Sequence, residues 1–120
     1  MEALRQAFEA IIAACDTLLK SSLTEQQQGD VLAMRQAVQD ISKHVDSAAA
    51  QLPKPPTNLV ATVRSPLTIL IGYAEVLLDR TTLDDTQRHH VATILREARP
   101  LLSQIENAFG LDQDRTEPLA

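Results

Sequence analysis

Aromatic residues and glycines are scarce in this chain of 120 residues, which has no Trp, one Tyr, two Phe and three Gly. A β-sandwich or β-barrel needs many short strands and glycine-containing turns, so this composition disfavours an all-β fold. Hydrophobic residues make up 44% of the chain, and the core is therefore predicted to consist of Leu, Ile, Val and Ala. We expect an all-α protein of one domain.

Cysteine, net positive charge and long apolar runs are also lacking. The one cysteine, Cys15, has no internal disulfide partner, and its place on an apolar helical stripe predicts a buried, inert thiol. The net charge of −5 disfavours nucleic acid and membranes as partners. No run approaches the roughly 18 apolar residues of a membrane span, and the acidic N-terminal segment is unlike a signal peptide. We expect a cytoplasmic protein.

Four segments repeat apolar residues at steps of three and four, the spacing of a helix that buries one face. The second, third and fourth helices are predicted over about Glu25–Gln51, Leu59–Arg80 and Thr86–Phe109. Thr24, and Asn58 or Thr57, are predicted N-caps, and Gly110 a C-terminal cap. The predicted inward stripes are Leu4, Phe8, Ile11, Cys15 and Leu18; Met34, Val38, Ile41, Val45, Ala48 and Leu52; Val63, Leu67, Leu70, Ala74 and Leu77; Ile94, Ala98, Leu101, Ile105 and Ala108.

The three prolines of the segment "LPKPPTN" divide the chain into two helical hairpins, residues 1–52 and 59–110, joined by a linker over 53–58. One such hairpin leaves an apolar stripe exposed on both helices, so the two are predicted to cover each other in an antiparallel four-helix bundle spanning 1–110. Pro100 is expected to bend the fourth helix. Residues 111–120 are predicted to be a flexible tail.

The two hairpins match each other at offsets of 59 and 60 residues, and Leu23, Gln27 and Val31 correspond to Leu83, Gln87 and Val91. These matches predict a tandem duplication, in which one chain forms a monomeric pseudo-dimer. A homodimer is the alternative, with the second hairpins of two chains forming the bundle and the first hairpins packed outside.

The segment "VRSPLTILIGYAEVLLD", which begins at Val63, resembles the dimerisation and histidine-phosphotransfer domain of sensor histidine kinases. Its most specific parts are Arg-Ser-Pro-Leu-Thr and Gly-Tyr-x-Glu. The later segment "LDDTQRHHVATILREARPLLSQI" is similar to the second helix of that family, and the resemblance covers about residues 58–109. It implies a four-helix bundle of the kinase-dimer type and a partner in two-component signalling.

The phospho-acceptor His of the family lies three residues before the Arg of this motif, where the present chain has Ala61, and the acidic neighbour is replaced by Thr62. An alanine methyl group has no nucleophile and cannot carry a phosphoryl group. The chain also has no glycine-rich phosphate loop, and no ATP-binding domain is recognised after Gly110. We therefore expect a protein that is not an enzyme and that has no cofactor and no metal.

The resemblance assigns candidate docking residues next to the lost acceptor: Arg64, Ser65, Pro66 and Leu67. His44, His89 and His90 are candidate phospho-acceptors at positions that the family does not use. The simplest interpretation of all three is an ordinary surface or boundary histidine. His89 and His90 are adjacent on a helix and point about 100° apart, so they do not chelate one metal ion.

Three functional hypotheses remain open. The first is a non-catalytic adaptor or inhibitor that docks a response-regulator receiver domain or a histidine kinase. The second is a histidine phosphotransfer protein that uses a non-standard His. The third is a structural oligomerisation module.

Overall fold

The computed structural model describes residues 2–111. Over this range all regular secondary structure is helical. The helices are α1 Glu2–Leu19, α2 Glu25–Ala49, α3 Leu59–Arg80, α4 Asp85–Ala98 and α5 Leu101–Ala108. The predicted tail lies outside the described residues except for Leu111.

The helices pack as an antiparallel four-helix bundle, which confirms the predicted fold class. The hairpin pairs α1–α2 and α3–α4 are in contact, α2 packs against α3, and α1 packs against α4. Helix α5 contacts the same two helices, α1 and α3, as α4 does. The predicted inward stripes of α1 and α3 are buried throughout. Burying a large aliphatic side chain stabilises a fold by about 1.5–3 kcal/mol, so these stripes provide the main driving force for folding.

Proline explains two of the differences between prediction and structure. Helix α2 ends at Ala49 rather than at Gln51, because Pro53 has no N–H group to donate to the Ala49 carbonyl and disfavours the helical conformation of Leu52. The prediction that Leu52 faces the core is therefore wrong, and 48% of Leu52 is exposed.

Pro100 divides the predicted fourth helix into α4 and α5, as expected for a residue without an N–H group. Ala108, predicted to face inward, is exposed. Helix α5 ends there, and Phe109, with 8% of its surface exposed, covers the end of the core instead.

The helix ends follow standard capping chemistry at most positions. Gly110 has a φ of 70°, and two hydrogen bonds close the end of α5: Gly110 N–H to the Asn107 carbonyl at 3.2 Å and Leu111 N–H to the Glu106 carbonyl at 2.8 Å. This pair is a Schellman motif, which confirms the predicted cap. Asn58 occupies the N-cap position of α3, but its side chain makes no capping hydrogen bond, so the predicted capping interaction is wrong.

The two hairpin turns carry matching capping boxes. At the start of α2, Thr24 Oγ1 accepts from Gln27 N–H at 3.1 Å and Gln27 Oε1 accepts from Thr24 N–H at 2.9 Å. At the start of α4, Asp84 Oδ1 accepts from Gln87 N–H at 2.7 Å and Gln87 Oε1 accepts from Asp84 N–H at 2.9 Å. Each box satisfies two backbone N–H groups that a helix start would otherwise leave unpaired. The predicted N-cap role of Thr24 is confirmed.

The same two glutamines also tie the turns to each other. Gln27 Nε2 donates to the Thr82 carbonyl at 2.9 Å, and Gln87 Nε2 donates to the Ser22 carbonyl at 2.8 Å. Both glutamines are only 5% exposed. Because Ser22 and Thr82 are 60 residues apart, as are Gln27 and Gln87, the two bonds are reciprocal. They fix one hairpin against the other at the turn end of the bundle.

Cys15 is completely buried in the seam of α1. Burial, assisted by the negative charge of Asp16, raises the pKa of the Cys15 thiol to about 12. At neutral pH the thiol is therefore protonated and a poor nucleophile. The neighbouring Asp16 pairs with Arg35 of α2 at 2.6 Å. The expectation of a buried, inert thiol is confirmed.

We predict that Gln87→Ala lowers the free energy of unfolding by about 1–3 kcal/mol, because it removes the hydrogen bonds of Gln87 to the Ser22 carbonyl and the Asp84 N–H, and one such bond contributes about 0.5–1.5 kcal/mol. Urea denaturation measures the change. Gln28→Ala is the matched control, since Gln28 is exposed in the first turn of α2, and we expect it to change stability by less than about 0.5 kcal/mol. Equal losses in the two variants would contradict a role for the reciprocal bonds.

Candidate functional site

Ala61 lies in the first turn of α3, at the end of the bundle where the proline-rich linker joins α2 to α3, and it is exposed. Its neighbour Thr62 is half-buried, and the Thr62 N–H donates to the Asn58 carbonyl at 2.9 Å. The position that the sequence motif assigns to a phospho-acceptor is thus on the outer wall of the helix and presents only a methyl group.

The predicted docking residues next to Ala61 divide into exposed and buried positions. Arg64 and Ser65 are exposed and Pro66 is half-buried. Leu67 is only 6% exposed and belongs to the core. The prediction is corrected for this residue, because its side chain supports the helix from inside and offers little contact to a partner. Docking through Arg64, Ser65 and Pro66 stays a prediction.

A row of large apolar side chains lies exposed further along α3. Ile69, Tyr73 and Val76 are 47%, 38% and 40% exposed, and their spacing of four and three residues puts them on one side of the helix. We call these three residues the α3 stripe. Sequence analysis missed it as a site, although a second apolar row beside the core row of α3 is visible in the sequence.

By helical spacing the α3 stripe lies on the same side of α3 as Thr62, which shares a cleft with His44 of α2, and we infer that the stripe borders α2. The opposite flank carries Glu75, which pairs at 3.1 Å with Arg99 at the junction of α4 and α5. No charged residue interrupts the row from Ile69 to Val76 on the α2 side. Gly72 lies next to this row, and nothing approaches within 4 Å of the place where a Cβ would lie. The surface is therefore apolar, uncharged and open to a close-packed partner.

The three histidines lie at two separate places. His44 is exposed on α2 and lines a shallow cleft with Ser47, Gln51, Asn58 and Thr62, at the same end of the bundle as Ala61. His89 and His90 lie near the turn end, with ring centroids 5.7 Å apart in an edge-to-face arrangement. Within residues 2–111, no three His, Cys, Asp or Glu side chains come together as a potential metal site.

Helix α3 is also the most apolar helix of the described chain. Its length and composition alone would allow it to cross a bilayer, and 28% of its most apolar window is buried in the bundle. A core helix of a soluble bundle has the same length and composition, so this is weak evidence for a membrane span.

The structure combines an exposed position at the start of α3, the Arg-Ser-Pro-Leu-Thr segment that follows it and a helical hairpin within a four-helix bundle. This combination resembles phospho-acceptor and dimerisation domains. Residues 59–115 match the family of the His Kinase A (phospho-acceptor) domain, HisKA. The hairpin formed by α3, α4 and α5 is therefore similar to the HisKA domain, a domain of two-component signalling proteins. Neither the curated proteins nor the solved structures contain a match to the chain. The match does not extend to the first hairpin, and the tandem duplication stays a prediction.

Proposed function

We propose that the protein is a non-catalytic adaptor or inhibitor of two-component signalling, which acts in the cytoplasm by docking the receiver domain of a response regulator on α3. The observation that carries this proposal is the α3 stripe, an exposed apolar row on the helix that holds the HisKA motif. A helix kept only for folding has no need of three large apolar side chains on its outer flank.

Position 61 explains why the proposed activity is docking rather than phosphotransfer. Alanine has neither a ring nitrogen to form a bond to phosphorus nor a lone pair to attack an aspartyl phosphate. Thr62 likewise has no carboxylate to remove a proton. A receiver bound at α3 would therefore meet an inert surface, and the bound state itself would be the regulatory event.

The size of the α3 stripe favours a transient complex. Complete burial of an apolar side chain contributes about 1.5–3 kcal/mol, and Ile69, Tyr73 and Val76 are already more than half covered in the bundle. Arg64 and Ser65, both exposed, extend the surface toward Ala61 with a charge and a hydroxyl group. Small interfaces of this kind are common in signalling encounters.

Titration of purified receiver domains from the same genome, followed by calorimetry, tests the proposal. We expect at least one receiver to bind and Tyr73→Ser to weaken that binding by at least about tenfold, because the substitution removes the largest side chain of the stripe.

Leu32→Ser is the matched control for this titration. Leu32 is an exposed apolar residue of α2, with 51% of its surface accessible, and it lies outside the α3 stripe. We expect this variant to bind as the unchanged protein does. Failure of every receiver to bind would contradict the proposed function, and unchanged binding by Tyr73→Ser would favour the purely structural role.

His44 supports a second candidate function, phosphoryl relay through a non-standard acceptor. It is the one candidate His that shares a cleft with Thr62, next to the position that the motif assigns to the acceptor. In such a relay an imidazole nitrogen of His44 would attack the phosphorus of a receiver aspartyl phosphate. The N–P bond would form as the P–O bond breaks, and the aspartate carboxylate would leave.

Incubation with a phosphorylated receiver separates the two candidate functions. The adaptor proposal predicts no acid-labile phosphate on the protein, because the exposed His44 side chain has no carboxylate partner among its hydrogen bonds to act as a base. Retained phosphate that disappears in His44→Gln, and persists in the control variants His89→Gln and His90→Gln, would replace the adaptor by a relay.

A further inference from the structure

We propose that the bundle has one docking face for a receiver domain, the α2/α3 face, and that one chain binds one receiver. This inference rests on the proposed function and adds its stoichiometry. A bundle with two equivalent hairpins would offer two such faces, because α1 packs on α4 as α3 packs on α2. The two faces of this chain, however, differ in the side chains that they present.

The correspondence between the faces comes from the reciprocal bonds of the turns. Gln27 and Gln87 exchange equivalent hydrogen bonds with the opposite turns, so an approximate two-fold axis relates the hairpins. Positions of α1 and α3 then correspond at an offset of 59 residues, and positions of α2 and α4 at an offset of 60. The buried stripes agree with these offsets, since Ile11 and Leu70 are both fully buried, as are Val31 and Val91.

The α3 stripe has no large counterpart on α1. Ile69, Tyr73 and Val76 correspond to Ala10, Ala14 and Thr17, and Ala14 is buried with 4% of its surface exposed. Small side chains at these positions give a partner little apolar area to cover.

The helices next to α3 and α1, which are α2 and α4, also differ in the side chains that they present. On α2 the row of Gly29 and Ala33 continues with Gln36 and Asp40, and Gln36 Nε2 donates to Asp40 Oδ1 at 3.0 Å. On α4 the counterparts of Gly29 and Ala33 are His89 and Thr93. A shallow depression between α1 and α4 is lined by Ala10, Ala13, Ala14, Thr17, His89, His90 and Thr93. An apolar helix that docked there would have to desolvate two imidazoles and two hydroxyl groups. The α1/α4 face therefore has no apolar row comparable with the α3 stripe.

The area and the lack of charge of the α3 stripe indicate which kind of partner binds to it. Three partly covered side chains offer far less than the roughly 800 Å² per partner that a stable dimer buries, so a second copy of this chain is disfavoured. An uncharged row spanning two helical turns matches the apolar face of an amphipathic helix laid along the α3 stripe. We assign this occupant to a surface helix of the receiver domain.

The stoichiometry of binding tests the inference. With a receiver that binds in the titrations above, calorimetry should give one receiver per chain, and native mass spectrometry should show one chain with one receiver. A complex of one chain with two receivers would overturn the single face and leave the proposed function standing. A complex that contains two chains joined through the stripe would also overturn it, whereas the absence of any binding would overturn both proposals.

Substitutions at corresponding positions provide the matched comparison. Ile69→Gln should weaken receiver binding by at least about tenfold, and Ala10→Gln, the same substitution on the other face, should change it by less than about twofold. Both residues are in helix interiors, and circular dichroism checks that each variant keeps its helices. Equal weakening by the two substitutions would show that both faces bind and would overturn the inference.

Discussion

The mutual covering of two apolar seams is the constraint on which the rest of this structure depends. The stripes of α1 and α2 are buried because α3, α4 and α5 close over them, and the reverse holds for the second hairpin. A hairpin of about fifty residues buries too little surface to be stable alone. Gln27 and Gln87 fix how the two hairpins are aligned, because their hydrogen bonds to the opposite turns form in only one alignment.

Closure within one chain would have a functional consequence. In a homodimer of identical hairpins both docking faces necessarily carry the same residues. When the two hairpins belong to one chain, each face changes independently. Tyr73 on one side and Ala14 on the other differ in this way, and such a difference makes the proposed one-sided docking surface compatible with a nearly symmetric core.

Local sequence patterns predicted the parts of the fold that depend on local physics. The bounds of α3, the capping role of Thr24 and the left-handed cap at Gly110 follow from periodicity and from the conformations that these residue types prefer. Leu52 and Ala108 were assigned to the core because they continue a heptad rhythm. Leu52 lies beyond the end of α2, next to Pro53, and Ala108 is the last residue of α5. The heptad spacing therefore does not determine where these two side chains point.

The candidate site was harder to predict for a different reason. Periodicity assigns large apolar residues to the core, so it does not predict that Ile69, Tyr73 and Val76 are exposed. Leu67 shows the opposite conflict, because periodicity predicts that it faces the core and the family motif makes it a docking candidate, and the structure buries it. Gln27 and Gln87 were recognised as a matching pair, but their bonds to Thr82 and Ser22 join residues about 55 and 65 positions apart. No local pattern encodes such contacts.

The molar mass in dilute solution, measured by light scattering on the eluting chromatographic peak, tests most directly whether one chain closes the bundle. Closure within one chain predicts a particle of 13.2 kDa whose mass does not change with concentration. A particle of twice that mass would contradict the account, because the second hairpins of two chains would then form the bundle and both docking faces would be identical.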